Sequence, residues 1–258
     1  MAVPDIALGR FDIGRAFTRT FEVIRANFVP FFALGIVATI PTTIYVFLTT
    51  SGLLPDATSI AQGRAVGLFF VAAMISAIIG AFCGLVLQAA LTYGAISYLS
   101  GQPVSLGRAV GVGLSQFFPL IGIGILEAFG LMGGALLLLF PAIMLLVMWS
   151  MVVPARVAEH TGILASFSRS RELTAGYRWP IFGTLVVLWL GSGIAQTAIR
   201  PMVAAGTVST TAYVGALLTA LVTAIVAVAS ATLHASIYYE LRMIKEGAGP
   251  AQIAAIFD

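Results

Sequence analysis

FFPLIGIGILEAFGLMGGALLLLFPAIMLLVMWSMVV, residues 117–153, is an apolar run with a single ionisable side chain, Glu127. As one helix it would be ~55 Å long, nearly twice the ~30 Å hydrocarbon core of a bilayer. As two helices joined by a tight turn at Gly133-Gly134, it gives arms Phe117–Gly134 and Ala135–Val153. Each arm then reaches ~27 Å, just enough to cross. The hairpin also keeps Arg108 and Arg156, which flank the run, on the same side.

Working outward, four further apolar runs are long enough to span: Phe28–Thr49, Val66–Leu99, Trp179–Ile199 and Thr210–Lys245. Composition agrees. The 258 residues are 60% hydrophobic and 9% charged, with a mean hydropathy of +1.05. Soluble domains carry about 25% charged residues, so too few charges are present to coat a water-facing surface. The expected fold is all-α: one integral membrane domain over residues 1–258, with six transmembrane helices plus amphipathic interfacial helices.

Six spans put both ends on one side. That side holds Arg10, Arg15, Arg19, Arg25, Arg108, Arg156, Arg169, Arg171, Arg178, Arg242 and Lys245, against Arg64 and Arg200 opposite. The positive-inside bias predicts cytoplasmic termini in a bacterial inner membrane. Lys245 is the one lysine, a usage typical of GC-rich bacterial genomes. The N-terminus lacks an apolar stretch followed by a cleavage site, so no signal peptide is expected.

The chain resembles itself. IGRAFTRTFEVIRANFVPFF from Ile13 aligns with ILASFSRSRELTAGYRWPIF from Ile163, and the shorter LGRAVGVGLSQFFPLI from Leu106 keeps Gly-Arg-Ala. Each version ends in a proline at the mouth of a span: Pro30, Pro119 and Pro180. Eleven residues on lies a helix-weakening residue, Pro41, Gly130 or Gly191. The predicted unit is an interfacial helix followed by two spans, repeated over about 10–99, 104–156 and 161–245, with a tail at 246–258 whose AGPAQIAAIF resembles an unfinished copy. In the first interfacial helix, Ile13, Phe17, Phe21, Ile24 and Phe28 share one helical face; Asp12, Arg15, Arg19 and Glu22 share another. It reads either as a structural belt or as a basic surface for anionic lipid or a partner. Arg15, Arg19, Arg25, Arg169, Arg171, Arg178 and Trp179 are the candidate headgroup or partner contacts. Thr161 is the expected N-cap of the third interfacial helix, and Ala175-Gly176 its stop.

Ser76, Gly80 and Gly84 form a small-residue ridge suited to close helix packing, within the chain or with a partner span, as do Ala212, Ala216, Ala220 and Ala224. Met144, Met148 and Met151 read as core.

The catalytic inventory is thin. There is no HExxH, HxH or carboxylate cluster for a metal, no GxSxG, and no phosphate-binding loop: Gly107-x-x-x-Gly111-x-Gly113 lacks the following Lys. Cys83 is alone, which excludes a disulfide within the chain. No cofactor, metal or nucleic-acid partner is expected. Four intramembrane polar residues stand out: Glu127, Gln88, Gln196 and His234. Glu127 costs about 3 kcal/mol in hydrocarbon on insertion scales. It is expected to be a protonated acid donating one hydrogen bond to a carbonyl freed near Gly130 or Pro141, or to a span hydroxyl. The alternatives are a proton or cation site, a ligand contact, or a partner contact. Ala38 and Leu188 occupy the equivalent positions, so the fold itself does not require a carboxylate there.

SRSRELTAGYRWPIFGTLVVLWL and SIYYELRMIKEG resemble the membrane domain attached to some bacterial glycerophosphodiester phosphodiesterases and its stand-alone relatives. The resemblance implies a helical inner-membrane domain concerned with lipids or with a partner protein. It implies no activity, because in those enzymes a separate domain performs the hydrolysis, and no catalytic residue is carried over. The leading expectation is therefore a non-enzymatic accessory or scaffold protein that binds membrane lipid or another integral membrane protein. The second is a transporter or channel for a lipid or small amphiphile using Glu127. Membrane-bound phospholipid enzymology is the third.

Overall fold

The computed structural model describes residues 11–247 apart from 56–58, 60, 64, 138 and 205–209. Arg10, Arg64 and the 248–257 repeat fragment lie outside the described residues, as do the side chains of Arg200 and Ala212. Among the described residues the chain is helical and without strands, and six helices are long and apolar enough to cross a membrane. The protein is an all-α polytopic membrane protein.

The helices are α1 (Ile13–Ala26), α2 (Phe28–Thr50), α3 (Val66–Leu99), α4 (Leu106–Ser115), α5 (Phe117–Leu137), α6 (Leu139–Trp149), α7 (Val152–Glu159), α8 (Ile163–Thr174), α9 (Arg178–Ala204) and α10 (Thr210–Glu246). Pro30, Pro119 and Pro180 are each the third residue of a helix, α2, α5 and α9. A proline is harmless there, because the first-turn N–H has no helical partner to lose, and its fixed φ suits the helix. The chain leaves each preceding interfacial helix through Asn27, Gln116 or residues 175–177. The carbonyls of Asn27, Gln116 and Tyr177 then accept the N–H four residues on, which starts the new helix.

The hairpin differs from the expectation. α5 runs through Gly133-Gly134 to Leu137. Gly134 is a packing residue: a Cβ there would sit 3.1 Å from the Cα of Ala142, so its absence lets α6 approach α5. The second arm also extends further than Val153. It breaks at Ser150-Met151 and resumes as α7, which buries Val152, Pro154, Ala155, Val157 and Ala158. Pro154 is the third residue of α7, the position the other prolines occupy in α2, α5 and α9. Ser170 on α8 holds the break. Its hydroxyl accepts from the Met151 N–H at 3.1 Å and donates to the Met148 carbonyl at 2.7 Å, serving two groups the break leaves over. Thr161 does not cap α8; the cap is Gly162, and the Thr161 hydroxyl pairs with Ser166 at 2.9 Å.

α2, α3, α9 and α10 form the main bundle, with α10 in contact with the other three. α1 lies on α10, α4 on α3, and α8 on α7 and α6. Small residues permit this docking. Gly113 of α4 meets the Val86 carbonyl, where a Cβ would come within 2.5 Å. α1 buries Ala16, Thr20 and Val23 against the bundle, while Phe21 and Phe28 stay exposed. The small face of α1 therefore docks, Phe17 and Ile24 pack partly buried against the same core, and Phe21 turns outward. Of the alanine ridge on α10, Ala224 meets Gly35 of α2, and Ala216 and Ala220 share a cavity with α2 threonines. On α3, Ser76 is buried and a Cβ on Gly80 would lie 4.0 Å from the Thr42 hydroxyl, whereas Gly84 faces open space.

Candidate functional site

Several predicted headgroup contacts are occupied within the protein. Arg15 Nε donates to Glu240 Oε1 at 2.7 Å, and the Asp12 N–H reaches the same oxygen at 3.2 Å. Glu240 is 2% exposed. Arg19 lies over the Tyr239 ring, 5.4 Å from its centroid. α1 thus spends two of its three arginines on α10. Arg169 is the hub of a second network: its Nε holds Glu159 at 2.9 Å, and its terminal nitrogens reach Glu172 and Glu246. Burial alone would lower the Arg169 pKa, but hydrogen bonds to Glu159 and Glu246 reverse this and raise it, so the guanidinium stays charged. Glu159 also accepts from the Tyr238 hydroxyl at 2.7 Å, and Arg242 holds Glu246 at 2.9 Å. The network ties α7, α8 and α10 together at the arginine-rich end. Arg25 and Arg171 remain exposed.

Arg178 has no ion pair among the described residues. Its Nη2 approaches the Met148 sulfur at 3.8 Å, and its Nε is buried without a hydrogen-bond partner. It lines a groove of about 440 Å³ between α6 and α9, together with Phe140, Ile143, Met144, Val147, Trp179, Phe182, Ala175 and Gly176. Gly176 adopts φ +86°, which lets the chain turn sharply out of α8 and places Arg178 at the start of α9. Met144, expected in the core, lines this groove. Trp179 is 73% exposed and packs edge-on against Phe182.

The intramembrane polar residues converge only in part. Glu127, Gln88 and His234 line one cavity of about 160 Å³, together with Thr92, Ser150 and six apolar or aromatic residues that include Trp149 and Pro154. Gln196 is exposed on α9 and takes no part. The walls come from α3, α5, α10 and the α6–α7 break. Glu127 makes no hydrogen bond among the described residues. The expected bond to a carbonyl near Gly130 is absent, and the Trp149 indole packs against Gly130, where a Cβ would lie 2.2 Å from the ring. Trp149 is held from its other side by Phe167, ring centroids 5.1 Å apart. His234 Nδ1 lies 2.7 Å from the Ser230 carbonyl. A carbonyl only accepts, so Nδ1 carries the hydrogen, and Nε2 of the neutral ring keeps its lone pair.

Thr92, Ser150 and the positioning residue Ser170 were not singled out in the sequence. The one signal for the break was Pro154, three residues after Met151. No group of three or more His, Cys, Asp or Glu suited to a metal occurs among the described residues. No protein-family model matches this chain, and no curated protein or solved structure does either.

Proposed function

We propose that this protein is a non-enzymatic accessory component of the bacterial inner membrane that binds an anionic phospholipid in the groove between α6 and α9. The observation that carries this reading is Arg178, a cation without a carboxylate among the described residues, in the wall of an otherwise apolar groove. Arg178 is half-buried and its Nε is buried without a hydrogen-bond partner, so a lipid phosphate would supply the missing acceptor while an acyl chain fills the groove. Trp179 at the same level suits the membrane–water interface. Arg169 and Arg242 meet in one ion-pair network and Arg15 and Arg19 dock on the same helix, α10, which supports cytoplasmic termini. The docking of α1, α4 and α8, each on the second helical arm of another unit, supports the threefold repeat. An amphipathic rim of this kind equally serves a partner membrane protein, which makes scaffolding part of the same proposal. Transport of an amphiphile is the second reading, favoured by the cavity at Glu127.

The test is mass spectrometry of lipids and proteins that co-purify after gentle extraction from the native membrane, for the wild type and Arg178→Ala. An anionic lipid enriched over the bulk membrane, and reduced at least fivefold by the substitution, is the expected result. A lipid profile equal to the bulk membrane in both proteins would overturn lipid binding. A stoichiometric protein partner in that case would leave scaffolding as the function.

A further inference from the structure

The second cavity has a chemical character of its own. Its polar groups are acceptors or can turn an acceptor inward. Glu127 offers a carboxyl group without an internal partner, which a bound cation would hold ionised, His234 offers the Nε2 lone pair, and Gln88 offers an amide oxygen. The Ser150 hydroxyl has given its hydrogen to the Val147 carbonyl at 2.7 Å, so only its lone pairs remain. No Lys or Arg lines the space. A site with such walls is one donor-rich cation short of being satisfied.

Size and shape narrow the ligand. About 160 Å³ exceeds by far the ~15 Å³ that one water requires. Leu131, Leu146, Trp149, Val153 and Ala231 make the rest of the wall apolar. A bare metal ion would leave that wall without contacts, and the single carboxylate is a poor metal set. An –NH3⁺ group on a short alkyl stem fits both halves. Its three N–H donors match Glu127, His234 and one further oxygen, and its methylenes meet the leucines.

We propose that the cavity walled by Gln88, Thr92, Glu127, Ser150 and His234 is a binding site for a primary ammonium group, carried by a small free amine or by an aminophospholipid headgroup. The site is independent of the Arg178 groove, and binding there does not require transport.

The test is calorimetric titration of the purified protein with butylamine at neutral pH, with n-butanol and tetramethylammonium as controls. Saturable binding of butylamine is expected, at least tenfold weaker in Glu127→Gln and about fivefold weaker in His234→Asn. Arg178→Ala, which addresses the other groove, is expected to leave it unchanged. Should Glu127→Gln fail to elute as a monodisperse species, His234→Asn and Gln88→Leu carry the same comparison. Equal binding of n-butanol, or wild-type affinity in every monodisperse cavity variant, would overturn the proposal, as would the absence of butylamine binding. Repeating the titration in nanodiscs separates the two sources. Competition from phosphatidylethanolamine but not phosphatidylglycerol assigns the headgroup. Equal affinity in both lipids assigns a free amine.

Discussion

Removing the guanidinium of Arg15 strands a buried carboxylate. Glu240 is 2% exposed, and its Oε1 is held by Arg15 Nε at 2.7 Å and the Asp12 N–H at 3.2 Å. Its Oε2 is buried without a hydrogen-bond partner. In Arg15→Met only the backbone donor remains. Breaking one side of a buried pair costs about 3–5 kcal/mol, whereas replacing both sides by apolar groups is often neutral. Arg15 is 22% exposed, so water reaches its outer edge and the lower figure applies, about 3 kcal/mol. That corresponds to about a hundredfold rise in the undocked population of α1. Hydrogen exchange of the α1 amides, measured in nanodiscs, reads that population directly. Exchange should accelerate by about two decades in Arg15→Met, and it should return most of the way to wild type in Arg15→Met/Glu240→Leu. Wild-type exchange in the single variant, or equally fast exchange in the double variant, would refute the claim that this pair docks α1.

Further outcomes follow from the packing. Gly113→Ala drives a Cβ to within 2.5 Å of the Val86 carbonyl, a backbone atom that cannot swing aside, and should cost about 3 kcal/mol in denaturant unfolding. Gly130→Ala meets the Trp149 ring instead; a loss of about 1–3 kcal/mol with a shifted tryptophan emission is expected, and an unchanged spectrum would count against the packing. Ser170→Ala leaves the buried Met151 N–H unserved and should destabilise by about 1–3 kcal/mol in thermal unfolding, with weaker butylamine binding because the break that presents Ser150 loosens. For orientation, in a Cys83→Ala background, an impermeant maleimide applied to intact spheroplasts should label Leu53→Cys. Gly162→Cys should be labelled only after lysis.

The spans were legible because a bilayer demands long apolar runs, and Val66–Leu99 matches its predicted ends. The proline positions were legible because a missing N–H is tolerated only in a first turn. The turn at Gly133-Gly134 was misplaced because a glycine that permits close packing and one that permits a turn look alike in sequence. Only the 3.1 Å approach of Ala142 separates them. Arg15 read as free surface charge because its carboxylate, Glu240, lies 225 residues away; for Arg169 two carboxylates, Glu159 and Glu172, are near in the chain, and only the packing of α7, α8 and α10 brings Glu246 to join them. Glu127, Gln88 and His234 were visible as unusual residues, but their convergence depends on helix crossings that no periodicity encodes. That is why Gln196 was grouped with them and Thr92 and Ser150 were not.

The docking of α1 on α10 has a consequence for how the protein is made. The partner of Arg15 lies 225 residues later in the chain. At about 5–20 residues per second, the ribosome needs roughly 10–45 s to deliver Glu240 after Arg15 has emerged. For that interval Arg15 has been made but the carboxylate that docks α1 on α10 has not. Docking of α1 through Arg15 therefore waits on the synthesis of α10, so an interrupted nascent chain would leave that face of α1 uncovered until Glu240 arrives.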